Sequence, residues 1–328
     1  MKLGMVSATF RDRSWEEACR AVKELGLQAI EPSTGGYDGS EHCDPAEMLK
    51  DAELIKGFSN SAEKYGLQIS EFNCKGNPLH PDKKISEKYI NTLESAMKLA
   101  SRTGVDTICV FAGLPGAAED ALYPNWITHP WPFFFSKALK WQWDKKTIPF
   151  WTKMAKKAKK MGLKFAFEME PGDMVYNTET FLKLREAVGM EEIAANLDPG
   201  HLFYQGIDIE LCIRRLGAAI VHVHVKDAKI ARSVVEYTGV IDAKMFNELQ
   251  TRAWNYSTVG YGHDQAFWKN FVATLRMIGY EGVLSIENEN TNMSSNEGIK
   301  KSVEFIKQCM LFEKVTSQWW DEYISGDR

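Results

Sequence analysis

Carboxylates and imidazoles recur at the ends of apolar runs through the C-terminal half of the chain. One run ends in Phe167-Glu168-Met169-Glu170-Pro171-Gly172, and the next in Asn196-Leu197-Asp198-Pro199-Gly200-His201. Two more end in His222-Val223-His224-Val225-Lys226-Asp227 and Ser285-Ile286-Glu287-Asn288-Glu289, and an early one ends in Glu31-Pro32. Along a strand successive side chains alternate faces, so Glu168 shares a face with Glu170, His222 with His224 and Lys226, and Glu287 with Glu289. Ionised groups on an inward face are costly unless they pair with one another or bind a cation. Three carboxylates and one neutral imidazole suit Mn²⁺ best, with Mg²⁺, Co²⁺ or Zn²⁺ also able to bind, and the lack of thiolates argues against a structural zinc site.

These runs belong to a repeating unit of short β-rich segment, turn and amphipathic helix. The pattern predicts strands over residues 3–10, 27–32, 67–72, 107–112, 163–170, 193–198, 219–227 and 282–289. The first helix opens on a capping box, Ser14 with Glu17. Others are expected over 46–65, 85–102, 140–160 and 297–312, with stops at Gly66, Gly104 and Gly162, and one runs from Asn177 or Thr178 to Gly189. Eight strand–helix units imply a parallel sheet closed into a single (β/α)8 TIM barrel, an α/β fold whose chemistry lies at the C-terminal strand ends. No GxGxxG follows the first strand, which weighs against a dinucleotide fold. The barrel is expected to span residues 1–314, with a lid insertion at 113–140 and a tail at 315–328 that contains Trp319 and Trp320 and packs on the barrel or on a second subunit.

A chain of 328 residues with 44% hydrophobic and 26% charged residues can bury one large core. The net charge of −4 supplies no basic field for nucleic acid or an anionic membrane. No apolar stretch is long enough to span a bilayer, and the N-terminus lacks signal-peptide features. The six scattered cysteines contain no CxxC pair, and Cys109 and Cys212 lie in apolar runs, so a reducing, cytoplasmic setting is expected.

The four C-terminal segments, together with Gly260-Tyr261-Gly262-His263-Asp264, resemble the sugar phosphate isomerase/epimerase superfamily of xylose-isomerase-like barrels. The resemblance covers the fifth to eighth strands; the N-terminal third matches in layout only. It implies a divalent metal held by Glu168, Asp198, His224 and Glu287, the second histidine of the His-x-His pair being the ligand. It implies further that Glu168 and Glu287 exchange a proton α to a sugar carbonyl and that His201 contacts substrate. Many relatives carry His where this chain has Glu170, so the role of Glu170 stays open between substrate contact, ligand support and ion pair. Lys226 and His263 are further substrate-binding candidates. The resemblance extends distantly to endonuclease IV, but that activity uses three metal ions, more histidines and a basic groove, against seven histidines and a negative net charge here. A non-catalytic sugar-binding protein would not need carboxylates on four consecutive strands.

The segment after the fourth strand is dense in rings: ten of the residues from Tyr123 to Trp151 are aromatic. Leaving the C-terminal end of a strand, it is expected to lean over the metal and to serve as a platform for a flat group, as a subunit interface, or as a lid packed on its own barrel. Within it His129 is a candidate acid/base group and Trp131 a substrate contact. This combination is similar to the large subunit of bacterial C-glycoside deglycosidases. That likeness implies metal-assisted elimination from a 3-oxo-glycoside of an aromatic aglycone, in a hetero-oligomer with a small β-sandwich-like subunit. The alternative is a keto-sugar isomerase or epimerase, expected as a homo-oligomer. Both begin with proton removal α to a ketone.

Overall fold

A computed structural model describes residues 1–313. Its principal sheet runs β3-β2-β1-β11-β8-β7-β6-β5-β4. The strands are β1 (Lys2–Val6), β2 (Ala29–Glu31), β3 (Gln68–Ile69), β4 (Phe72–Asn73), β5 (Thr107–Val110), β6 (Lys164–Glu168), β7 (Ile193–Leu197), β8 (Ile220–Val225) and β11 (Val283–Ile286). Every pairing in it is parallel. The outermost members, β3 and β4, are two halves of one stretch of chain interrupted at Ser70 and Glu71. β3 pairs with β2 and β4 with β5, and Ser33 bridges to Asn73. The ring therefore closes through this split third strand, giving the eight positions of the expected TIM barrel. An antiparallel ribbon, β9 (Asp227–Ile230) with β10 (Trp254–Ser257), follows the seventh position and was not anticipated.

The helix signals act where they were expected. Ser14 and Glu17 form the reciprocal capping box of Trp15–Glu24, and Gly104 and Gly162 end their helices in the left-handed conformation. Asn177 caps Thr178–Val188. Boundaries differ in three places. The first strand gives way to a 3-10 turn at Ser7–Phe10, and the second helix breaks into Pro45–Met48 and Ala52–Lys64 because Asp51 caps a new start. The helix expected from about residue 140 already begins as Phe133–Trp141 and passes through a π-helical stretch, Gln142–Thr147, into Ile148–Met161. Gln142 points back from that widened turn and donates to the carbonyls of Pro115, Gly116 and Asn125 at 3.2, 3.2 and 2.8 Å, pegging the lid to the helix. The lid's non-helical part is thus shorter than expected, and the Trp319–Trp320 tail lies outside the described residues.

Between barrel and helices the core is apolar and aromatic: Trp151 packs edge-on against Phe165 and Phe167. All six cysteines are buried free thiols. Inside the barrel the composition reverses. Glu31, Glu71, Asn73, Glu168, Asn196, His222 and His224 are all buried there, where such barrels are ordinarily filled with branched apolar side chains.

Candidate metal centre and active site

Strand register brings the chemistry together. Glu168 on β6 lies beside Asn196 on β7, Asn196 beside His222 on β8, and His224 beside Ser285 on β11, two residues before Glu287. Glu168, Asp198, His224 and Glu287 consequently meet, with one donor atom from each within 4.8 Å of the others. His224 Nδ1 is 3.0 Å from Glu168 Oε2, 3.1 Å from Glu287 Oε2 and 3.8 Å from Asp198 Oδ2. Asp198 Oδ2 and His224 Nδ1 are buried with no hydrogen-bond partner. Two orphaned donor atoms facing each other among carboxylates fit a divalent cation, as does the mixed oxygen–nitrogen set.

Gly200 keeps this arrangement compact. A Cβ there would stand 2.8 Å from Lys226 Cγ and 3.0 Å from Asp198 Oδ1, and the Gly200 N–H donates to that same oxygen at 2.7 Å. On the far side of the mouth, Gly36 adopts φ +85°, and a Cβ there would collide with the Lys75 carbonyl at 1.6 Å. That close approach sets Asp38 beside Lys75.

Above the four side chains lies a cavity of about 390 Å³ lined by Asp38, Lys75, Phe111, Glu168, Glu170, His201, Lys226, Phe246, Tyr256, Glu289 and Thr291. Two buried ammonium groups work against the carboxylates. Lys75 lies 3.1 Å from Glu168, 3.2 Å from Glu287 and 3.5 Å from Asp38. Lys226 lies 3.1 Å from Glu287 and 2.6 Å from Glu289. Burial alone would raise the Glu168 pKa, but Lys75 and then His224 outweigh it and hold the carboxyl well below its usual range. Glu287 is held down against burial by Lys226, Lys75 and His224 in that order. His224 is pushed well upward despite burial, because Glu31, Glu287 and Glu168 surround it. That pull marks a strongly negative potential at the place where a cation would rest.

His201 is the hub of the wall. Its Nε2 lies 3.0 Å from Glu168 and 3.2 Å from Asp198, while its Nδ1 pairs with Glu170 and bonds the Tyr256 hydroxyl at 2.8 Å. Glu170, whose role the resemblance leaves open, pairs with His201 and lines the cavity. Lys226 also lines the cavity.

Three candidates are placed elsewhere. His129 lies exposed on the lid, its Nδ1 bonded to the Trp131 main chain at 2.7 and 3.2 Å, and neither His129 nor Trp131 lines the cavity. His263 stacks on Phe203 at 3.7 Å and bonds Asp227 at 2.8 Å; Asp227 also accepts the N–H groups of Gly260, Gly262 and His263, so His263 helps pin a loop, and it does not line the cavity. The lid's rings lean outward: Tyr123, Trp131, Phe133 and Phe134 are 78%, 65%, 75% and 62% exposed. The aromatic wall of the cavity comes instead from Phe111, Phe246 and Tyr256.

Sequence reading missed Asp38, Lys75, Glu71, Phe246 and Tyr256. Glu71 lay inside a run already read as a strand and was an ionisable residue on it; Lys75 lies just past that strand's end. Either could have been found by asking which face each occupies. Phe246 and Tyr256 belong to the unanticipated ribbon and its approach; the alternation Trp254-Asn255-Tyr256-Ser257 was a strand signal that could have found Tyr256.

Comparison with known proteins agrees with this architecture. Uncharacterized protein YfiH of Bacillus subtilis (strain 168) is 38% identical over 313 residues, covering 94% of this chain and 99% of that one. Inosose dehydratase of Mesomycoplasma hyopneumoniae (strain 7448) is 26% identical over 160 residues, 48% of this chain and 52% of the dehydratase, so that match spans about half of either protein. Among solved structures, apo 3-keto-D-glucoside 4-epimerase YcjR from E. coli superposes with a TM-score of 0.64 at 13% identity over 94% of this chain and 100% of that one, a likeness of fold. No helix among the described residues is long and apolar enough to cross a membrane. The sequence pattern of one family matches residues 19–309, and with the closed parallel barrel it assigns the chain to the xylose isomerase-like TIM barrel family.

Proposed function

We propose that this chain is a divalent-metal-dependent sugar enzyme that removes a proton α to the carbonyl of a keto-sugar, of isomerase or epimerase type. The observation that carries the reading is the convergence of Glu168, Asp198, His224 and Glu287, with Glu168 also in the lining of a cavity of both charged and aromatic groups. Glu168, Asp198, His224 and Glu287 would hold the ion, Mn²⁺ by the balance of oxygen and nitrogen donors. Once bound, the ion supplies charge stabilisation for an enediolate-like oxyanion, worth several kcal/mol.

The chain's own residues do the rest. Glu168 and Glu287, kept ionised by the ammonium groups beside them, take and return the proton on opposite sides of the substrate, a contribution of roughly 10²–10⁴-fold. Lys75 and Lys226 face sugar oxygens, and their charge favours the oxyanion over the neutral ketone. His201, fixed by Glu170 and Tyr256, orients Glu168 at the cavity wall. Phe111, Phe246 and Tyr256 exclude water and cover the apolar face of the ring.

A second reading, the large subunit of a C-glycoside deglycosidase, draws on the outward-facing rings Tyr123, Trp131, Phe133 and Phe134. Such an exposed aromatic patch suits a small partner subunit, and there His129 would act in the assembled complex. An isomerase would carry the same patch as a contact between copies. YcjR, named for its action on a 3-keto-D-glucoside, is consistent with an oxidised sugar in either reading.

The test is solvent exchange. Metal-loaded protein in D₂O, with a 3-oxo-glucoside, a 3-oxo-C-glycoside and a set of ketohexoses, is expected to place deuterium on the carbon next to the carbonyl of at least one of them, read by NMR. Exchange that persists undiminished after complete removal of metal overturns the metal-dependent reading; no exchange on any of them overturns the enolisation.

A further inference from the structure

Beneath the mouth cluster lies a second group of buried side chains that the proposed reaction does not use. Glu31 at the end of β2, Glu71 at the break in the third strand, and His222 and His224 on β8 each offer one donor atom, all within 4.8 Å of one another. All four are buried. Glu31 is bonded by Asn73 Nδ2 at 2.9 Å and by His224 Nε2 at 3.0 Å. Glu71 is different. Its Oε1 is 3.0 Å from His222 Nδ1 and 3.8 Å from His224 Nε2, yet neither of its oxygens accepts a hydrogen bond. His222 Nε2, 3.9 Å from Glu31, likewise has no hydrogen-bond partner.

Two carboxylates in a barrel interior, one of them without a single donor, carry a large desolvation penalty, which either a cation or a proton on Glu71 offsets. Neither ammonium group is recorded in contact with them: the ion-pair partners of Lys75 and Lys226 are all mouth or rim carboxylates. Ligand atoms around one ion at roughly 2.0–2.2 Å stand at most about 4.4 Å apart; Glu71 Oε1 and His222 Nδ1, 3.0 Å apart, fall inside that limit, and one donor atom from each residue of the group lies within 4.8 Å of the others. An entry path exists as well. A cavity of about 510 Å³ opens at the N-terminal face of the barrel, opposite the active site, and His222 and Ser70 form part of its lining.

We propose that the barrel holds a second divalent cation inside it, on Glu31, Glu71 and His222, beneath the mouth site and loaded from the opposite face. Two carboxylates neutralise a doubly charged ion, and three protein ligands leave a position for water. His224 stands between the two sites: Nδ1 faces the mouth carboxylates and Nε2 faces Glu31. Coordination of both ions by one ring would require an imidazolate, so Nε2–H donates to Glu31 instead and ties the inner ligand set to the outer one. The inner site stands on its own residues and does not depend on a metal at the mouth.

The test counts ions. The full chain is stripped with a chelator, reloaded with Mn²⁺ or, separately, Zn²⁺, and freed of excess, and metal per chain is read by inductively coupled plasma mass spectrometry. Wild type is expected to hold two. Glu71→Gln, nearly the same shape, keeps one, and Glu287→Gln keeps the other. Two anomalous-scattering peaks, one on each side of His224, would locate them. A single ion in wild type that Glu287→Gln removes leaves the mouth site standing and overturns the inner one, with a proton on Glu71 in the cation's place. Two ions retained by Glu71→Gln overturns it too. Loss on Glu71→Gln but not on Glu287→Gln keeps the inner site and removes the mouth. Should Glu71→Gln fail to fold, His222→Asn takes its place, and the wild-type count decides alone.

Discussion

Lys75→Met removes a buried ammonium from between two carboxylates proposed as metal ligands, and its effect on cation affinity can be bounded from the geometry. The Lys75 nitrogen is 3.1 Å from Glu168 and 3.2 Å from Glu287. A metal–oxygen bond adds roughly 2.1 Å, so ion and ammonium stand no more than roughly 5 Å apart. The repulsion between charges of +2 and +1 at that separation is about 1.7 kcal/mol even with the screening of bulk water, and several times that at the effective dielectric of a protein interior. The variant is therefore expected to bind Mn²⁺ at least tenfold more tightly than wild type. It should also lose thermal stability in the metal-free form, because Glu168, Glu287 and Asp38 all lose a partner. Isothermal titration with Mn²⁺ gives the affinity, and melting with and without chelator gives the gap between the two forms, which should widen. Turnover should fall, since tighter ion binding does not replace a charge aimed at the substrate. Unchanged or weaker Mn²⁺ affinity in a folded Lys75→Met protein would refute the argument, and the ion would then have to lie away from Glu168 and Glu287.

Other perturbations probe the same assembly. Glu168→Gln and Glu287→Gln should each lower kcat/KM by roughly 10²-fold or more and reduce metal content while the far-ultraviolet circular dichroism is retained; full turnover by either variant would remove that residue from the chemistry. His129→Ala should leave metal content unchanged, as the ring bonds only within the lid, and should slow elimination from a 3-oxo-C-glycoside about tenfold or more if that is the reaction; unaltered turnover takes His129 out of it. Burial lifts the Asp173 carboxyl to about 7 in spite of the main-chain N–H groups it accepts from Val175 and Gly113. Its folded pKa lies above the unfolded one, so its contribution is complete below about pH 4 and is lost as pH rises through about 7, at most roughly 4 kcal/mol. Urea denaturation should accordingly show Asp173→Asn gaining stability relative to wild type between pH 4 and pH 8, and a constant difference across that range would contradict the assignment.

Much of the barrel was legible because its signals are local. A capping box, left-handed glycines at helix ends and alternating apolar runs name their own elements, and strand ends rich in Glu, Asp and His name the half of the barrel where register converges them. Glu168, Asp198, His224 and Glu287 stand within or just past clear β runs, which marked the strand ends, while their selection from neighbours such as Glu170 and His222 rested on the family resemblance. The rest depends on contacts between distant segments. Lys75 matters because Gly36 lets one loop press on another; Tyr256 matters because a ribbon folds across the mouth; Glu71 matters because the third strand breaks where it turns inward. The placement of His129 was hidden for the complementary reason: a histidine in a loop above a site says nothing about which way that loop faces, and the lid turns Tyr123, Trp131, Phe133 and Phe134 outward.

The π-helical stretch at Gln142–Thr147 has a mechanical corollary. A wide turn takes up a surplus residue without passing the change of phase along the axis, so the half of the helix that seats Trp151 among Phe165 and Phe167 is insulated from the half that begins at Phe133. Residues on the outer half can be exchanged, or their number altered, while the foundations under Glu168 stay in place. The rim of the molecule can thereby vary without disturbing the carboxylates and imidazole below.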